Sequence, residues 1–277
     1  MSEGTKKRAQ YTAFLQWALA RLGRRWDGYR KVLWLIAKRL GRRLRTLGLD
    51  DLGAYRAWLD LHPEEWAELD ALLGIPISRF YRDRDVFESI EQRVLPLLMH
   101  RAREAGNASI ACWSAGCASG EEPYTLAMLW KLRLQTAYPG MALQILATDS
   151  DASLLERARV GCYEASSLKE LPADLRVAAF EQRNASFCLK REYRTVEFSR
   201  QDLREAIPAG PLDLVLLRNV VATYYATEVQ REIISRIAGR MQPGAGLVLG
   251  IHETLPEGLK SFEPWAGARA IYRRSEK

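Results

Sequence analysis

One stretch constrains this chain more than any other. Ser109-Ile-Ala-Cys-Trp-Ser, a short apolar run, passes into Ala-Gly-Cys-Ala-Ser-Gly and then into Glu-Glu-Pro-Tyr. A buried strand that ends in small residues and opens a helix is where an open α/β sheet receives a nucleotide. Small side chains admit a ligand to the backbone, and free N–H groups at the helix start meet its polar end. Gly116 and Gly120 do not form GxGxxG, and the loop is not GxxxxGK[ST], so a dinucleotide or phosphate-cradling loop is disfavoured. Glu121 and Glu122 would repel a pyrophosphate but suit an amine or a sulfonium, although acids also favour any helix N-terminus.

The following chain alternates between strand and helix. Leu143–Asp149, Leu212–Leu217 and Gly246–Ile251 read as strands; helices are expected from Pro123, over Ala152–Val160 and over Thr227–Met241. That order predicts a mostly parallel, doubly wound sheet. Asp149 closes the second strand, where an acid holds ribose hydroxyls, and Asp151 reads as the cap of the next helix. Between about 183 and 199, Phe187, Leu189, Tyr193, Val196 and Phe198 suggest short antiparallel strands inserted into this unit.

Residues 11–73 read as helices. Phe14, Leu15, Ala18, Leu19 and Leu22 share one face; Leu33, Ile36, Leu40, Leu44 and Leu47 mark another, which Gly48 ends. Asp50 or Asp51 caps a third helix that stops before Pro63, and Pro63-Glu64-Glu65 opens a fourth, running to about Leu73. The net charge of +7 is concentrated here, with ten Lys or Arg against the single acid Asp27 between Arg21 and Arg45. Three readings of this excess stand side by side: a solvated helix face, a nucleic-acid surface, or a seat for an acidic protein segment. Trp17, Trp26 and Trp34 are expected to pack rather than stack on bases.

With 48% apolar and 27% charged residues the composition is that of a folded globular protein. No apolar run approaches the roughly 20 residues of a membrane span, and the first residues lack the apolar core of a secretory signal. Cys112, Cys117, Cys162 and Cys188 show no CxxC spacing, and His62, His100 and His252 lie far apart. Neither a metal site nor a disulfide framework is expected, and the chain reads as reduced and cytoplasmic.

Several separated motifs extend this reading. Ser78-Arg-Phe-Tyr-Arg-Asp, Trp113-Ser-Ala-Gly-Cys-Ala-Ser-Gly-Glu-Glu-Pro-Tyr, Ala147-Thr-Asp-Ser-Asp, Ser166-Ser-Leu-Lys-Glu-Leu-Pro, Leu217-Arg-Asn-Val and Met241-Gln-Pro-Gly-Ala-Gly occur in that order. In them the chain resembles, from about residue 11 to 274, the CheR family of bacterial chemoreceptor protein-glutamate methyltransferases. The resemblance implies a Rossmann-like class I methyltransferase domain over 108–277, with a small antiparallel β-subdomain at about 165–199. It also implies an N-terminal all-α domain over 1–84 and a linker helix over 85–107. S-adenosylmethionine is the implied methyl donor, leaving S-adenosylhomocysteine, with no metal.

By motif position the resemblance assigns the cofactor to Ser78, Arg82, Gly116, Glu122, Asp149, Asp202, Leu203, Leu217 and Arg218. Glu122 would hold its ammonium, Asp149 its ribose hydroxyls, and Arg82 its carboxylate end near the reacting centre. Arg82 and Tyr224 are the implied catalytic residues. The family pattern after Arg218-Asn-Val places a tyrosine at Thr223 by rigid counting and at Tyr224 if one residue is added, and Tyr224 is preferred. The chain departs from the pattern at Pro76, at Asp202-Leu203 and at Gly250-Ile-His-Glu-Thr, where His252 is displaced by one and reads as structural.

A carboxylate acceptor is already ionised near pH 7, since free Glu has a pKa of about 4.3, so no general base is required. The basic helix then gains a partner: Lys38, Arg39, Arg42 and Arg43, with Lys31 and Arg45, would receive an acidic helical segment bearing the target. The implied partner is the cytoplasmic part of a chemoreceptor. Rivals are another carboxylate acceptor and a cofactor-binding regulatory module without activity.

Overall fold

The computed structural model describes residues 3–276, which divide into two units: the chain up to Ile75 with Thr223–Val229, and Pro76–Ala222 with the chain from Gln230. In the first unit, α1 (Glu3–Arg21), α2 (Leu33–Leu47), α3 (Leu52–Leu61) and α4 (Glu65–Leu72) bury Leu15, Leu19, Ile36, Leu40, Tyr55, Leu59 and Leu69. These residues recur at helical spacing, so each helix presents one apolar stripe inward. Gly48 ends α2 at φ +68°, a conformation that costs glycine nothing, and the Asp51 carboxylate caps α3 by accepting from Ala54 N at 2.8 Å. Trp17 is partly buried beneath the guanidinium groups of Arg21 and Arg56, as packing requires. Trp34 departs from expectation, being 68% exposed.

In the second unit, α5 (Arg84–Ser89) passes through one π turn (Ile90–Val94) into α6 (Leu95–Glu104). The sheet then begins with β1 (Ser109–Ala115), α7 (Glu121–Leu129), β2 (Ala142–Asp149) and α8 (Ala152–Val160). Asp151 caps α8 through Ser153 N and Leu154 N. A side branch follows: β3 (Cys162–Glu164), α9 (Ala173–Ala179), β4 (Phe180–Arg183) and β5 (Ser186–Leu189). The chain returns through β6 (Val196–Arg200), β7 (Leu212–Leu216), α10 (Val221–Tyr224), α11 (Thr227–Ala238) and β8 (Met241–Val248), ending on β9 (Phe262–Pro264) and β10 (Ile271–Arg274).

The main sheet has the order β6-β2-β1-β7-β8-β10-β9. Pairing is parallel from β6 to β8 and antiparallel where β10 joins β8 and β9. From β1 the chain winds outward through β2 to β6, then returns to the other side of β1 as β7. The strand order therefore reverses between β1 and β7, and a crevice at the carboxyl ends of those strands is where such sheets bind ligands.

Two expectations are corrected here. Val196–Arg200 is not part of the antiparallel insert but the parallel edge strand beside β2. Alternation has a period of two in either setting and cannot say which sheet a strand joins. The insert is the separate sheet β3-β5-β4, and Cys162 and Cys188, directly opposite on β3 and β5, are joined as a disulfide. Spacing arguments missed this because the partners lie 26 residues apart and meet only through strand register. Cys112 and Cys117 are buried free thiols.

Candidate cofactor site

The loop after β1 and the loop after β7 meet at the reversal of strand order. Gly116, at φ +72°, lies so close to Val220 that an added Cβ would come within 2.6 Å of its side chain. Gly116 N and Cys117 N donate to Thr148 O, and the buried Trp113 indole donates to Thr148 Oγ1, tying this loop to the end of β2. Asp149 then accepts from Ala118 N at 2.9 Å and from Asp151 N at 3.0 Å. Burial pushes its carboxyl above the usual range, and the backbone N–H groups only partly offset this.

The two acids of α7 divide differently from the expectation. Glu122 accepts from Ser114 Oγ at 2.7 Å and from Arg218 Nη1 at 3.0 Å, so both carboxylate oxygens have protein partners. Glu121 is the deeper acid. Its Oε1 accepts from Ser119 Oγ, whereas Oε2 is buried without a hydrogen-bond partner among the described residues. Burial raises the Glu121 carboxyl, and its own backbone N–H, followed by the hydroxyls of Ser78 and Ser119, opposes the shift. An orphaned buried carboxylate oxygen fits an ammonium group, as Asp149 at the end of β2 fits ribose hydroxyls.

Arg218 joins these parts. Its side chain is 2% exposed and donates to Glu122, to Asp83 Oδ2 at 2.8 Å and to Arg82 O at 2.6 Å, with its guanidinium over the Phe87 ring. Arg82 itself sits between two residues in the left-handed region, Tyr81 at φ +58° and Asp83 at φ +62°. Such backbone costs roughly 1–2 kcal/mol per residue and persists only where its surroundings over-determine it. Here Tyr81 N donates to Thr125 Oγ1, the Tyr81 ring stacks on Phe87, and Arg218 holds Asp83. The Arg82 guanidinium donates to Ile77 O at 2.9 Å and to Asn219 Oδ1 at 3.3 Å.

The other expected residues fall as follows. Leu217 is buried and donates its N–H to Val248 O, while Leu203 is buried beside Asp202, whose carboxylate Arg204 grips through Nε and Nη2. Ser78 lies beside Glu121. Tyr224 sits with the helical unit, its ring 5.1 Å from that of Tyr29 and its carbonyl accepting from Arg25 N. On α2, Lys38 and Arg42 are exposed, but Arg39 and Arg43 serve the fold. Arg39 donates to the carbonyls of Leu72 and Gly74, and Arg43 meets both oxygens of Glu65, which also accepts from the buried Tyr55 hydroxyl. The exposed side chains Lys31, Trp34, Lys38 and Arg45 instead line a groove of about 620 Å³ with Lys7, Arg8 and Tyr11 of α1.

Sequence reasoning missed Asp83, Asn219 and Glu253 as parts of this site. Asp83 and Asn219 each directly follow an arginine inside a motif, which was the available signal, whereas Glu253 in Gly250-Ile-His-Glu-Thr has no such neighbour. Among the described residues no group of three or more His, Cys, Asp or Glu is placed to hold a metal, and no helix is long and apolar enough to cross a membrane.

A doubly wound sheet with this strand order, a glycine-bent loop after β1 and an acid closing β2 defines a class I S-adenosylmethionine-dependent methyltransferase. Residues 77–271 match the family described as CheR methyltransferase, SAM binding domain. The chain belongs to that family. It is 32% identical to the chemotaxis protein methyltransferase of Listeria monocytogenes over 68% of this chain and 69% of that one. To the chemotaxis protein methyltransferase of Escherichia coli it is also 32% identical, over 79% and 76%. A 104.1 kDa protein of Rhodobacter capsulatus is 30% identical over 86% of this chain, which spans 25% of that protein's length.

Proposed function

We propose that this protein transfers a methyl group from S-adenosylmethionine to glutamate side chains of an acidic helical segment in a cytoplasmic signalling protein of the chemoreceptor type. The cofactor supplies an electrophilic methyl on a sulfonium. Asp149 and the Glu121–Glu122 pair hold its polar ends, with Gly116, Leu203 and Leu217 shaping the wall.

Direct displacement asks little acid–base work of the protein, because the acceptor carboxylate arrives ionised. The remaining tasks are alignment and exclusion of water. Arg82, a planar donor held on two sides, meets the carboxylate end of the cofactor beside the reacting centre, where its fork also orients the acceptor, and Tyr224 offers a hydroxyl donor. The observation that carries the acceptor assignment is the stripe Lys31, Trp34, Lys38, Arg42 and Arg45, exposed at helical spacing and free of acids. Such a stripe attracts an acidic helix and lays an aromatic ring against its apolar side.

Tritium transfer from labelled S-adenosylmethionine to a chemoreceptor cytoplasmic fragment, scored as base-labile product, tests the reading. Base-labile label on receptor glutamates is expected; label only on another acceptor would overturn the receptor assignment. Arg82→Ala should lower the transfer rate about 100-fold, and an undiminished rate would refute its role.

A further inference from the structure

The turn after β8 carries a carboxylate that the reaction does not use. Glu253 is buried, and a single oxygen, Oε2, accepts from Asn219 N at 2.8 Å and from Gly250 N at 2.7 Å. Glu253 N donates back to Gly250 O, closing the turn. Asn219 stands at φ +56°, in the left-handed region that Asn tolerates better than most residues. Its side-chain oxygen is the one that accepts from Arg82 Nη2. The packing around it is tight: a Cβ on Gly250 would lie 2.8 Å from Asn219 Oδ1 and 2.9 Å from Glu253 Oε2. These contacts form one chain, from the Glu253 carboxylate to the Asn219 backbone and from the Asn219 amide to the Arg82 guanidinium.

The geometry points to Glu253 and Asn219 as positioning residues that set the direction of Arg82 toward the carboxylate end of S-adenosylmethionine. This inference rests on the assignment of Arg82 to that end of the cofactor. Glu253 fixes the unusual backbone of Asn219, and Asn219 Oδ1 with Ile77 O then leaves the guanidinium one orientation. Without the Glu253 oxygen two backbone amides, one of them buried, lose this acceptor, and Asn219 is released from its left-handed conformation. Arg82 stays charged but loses its direction.

The test compares binding of S-adenosylmethionine with that of its decarboxylated analogue by calorimetry. A fold defect weakens both ligands alike, whereas misdirection of Arg82 weakens only the ligand that bears the carboxylate. Asn219→Ala and Glu253→Ala are each expected to reduce the preference for S-adenosylmethionine about tenfold. Glu253→Gln keeps an oxygen for the two amides and should recover most of what Glu253→Ala loses. In an Arg82→Ala background Asn219→Ala should change the preference no further. Equal weakening of both ligands by Asn219→Ala, or an undiminished effect in the Arg82→Ala background, would overturn the positioning chain alone. An unchanged preference in Arg82→Ala itself would show that the Arg82 assignment has failed, and the chain with it.

Discussion

Arg218 holds its positive charge out of water, answered by Asp83 and Glu122 and flattened over Phe87. Removing one partner of a buried ion group leaves the others uncompensated, and here two carboxylates would be stranded. Arg218→Ala is therefore expected to lower stability by about 3–5 kcal/mol, read as a shift of the urea midpoint at unchanged slope. Asp149 behaves in the opposite sense. Its folded-state carboxyl titrates above the unfolded one, so its ionisation disfavours the fold. That penalty is absent below the unfolded pKa, grows as pH rises through the window between the two values, and is full above the folded one. Asp149→Asn removes this penalty but sets an NH2 against one of the two backbone N–H donors. The expected signature is therefore the trend: the variant's stability relative to the parent should rise between about pH 3 and pH 7 in thermal melts. The same variant should bind S-adenosylmethionine at least about tenfold more weakly if the carboxylate holds the ribose.

At the scale of elements, the loop after β1 depends on close approach. Gly116→Ala meets both a left-handed backbone and the Val220 methyls, and should cost about 1–3 kcal/mol. Adding Val220→Ala should recover the steric part and leave the backbone part, which thermal melts of the single and double variants can separate. On α2, the charge reversals Lys38→Glu and Arg42→Glu should leave melting temperature and cofactor affinity unchanged while slowing transfer to an acidic receptor fragment. That slowing should fade as salt screens the encounter. Arg43→Ala should instead destabilise the helical unit, because Glu65 would keep only the Tyr55 hydroxyl in a buried setting. Sequence could not separate Lys38 from Arg43. Both lie on one basic helix, and only the packing of α4 against it decides which cation is occupied. The caps were legible for the converse reason: Gly48, Asp51 and Asp151 act on their own local backbone. The strands β1, β2 and β7 were equally plain, because strands buried in a parallel sheet read as continuous apolar runs.

For the whole molecule, alternation of strand and helix announced the sheet, and motif order announced the cofactor. What stayed hidden were relations between distant segments: Cys162 with Cys188, Val196–Arg200 beside β2, and the Glu253–Asn219 contact. Each needs a register or a turn that no local pattern encodes. The helical unit holds the largest such relation, since Thr223–Val229 belongs to it although some 150 residues separate that segment from Ile75. Arg24 bridges to Tyr225, Arg25 N donates to Tyr224 O, Ala226 N donates to Gly23 O, and Gly28 packs on Thr223 O so closely that an added Cβ would clash. A ribosome delivers the first four helices long before it delivers this strap. The unit begun first therefore stays incomplete until most of the chain has been made, exposing Tyr29 and its apolar neighbours until residue 229 has emerged. A fragment ending at residue 75 should accordingly show helical circular dichroism but a broad, early melt. Supplying 223–229 through a short covalent linker should sharpen it. A chain truncated before this strap should likewise be cleaved by a protease within the helical unit faster than the full chain.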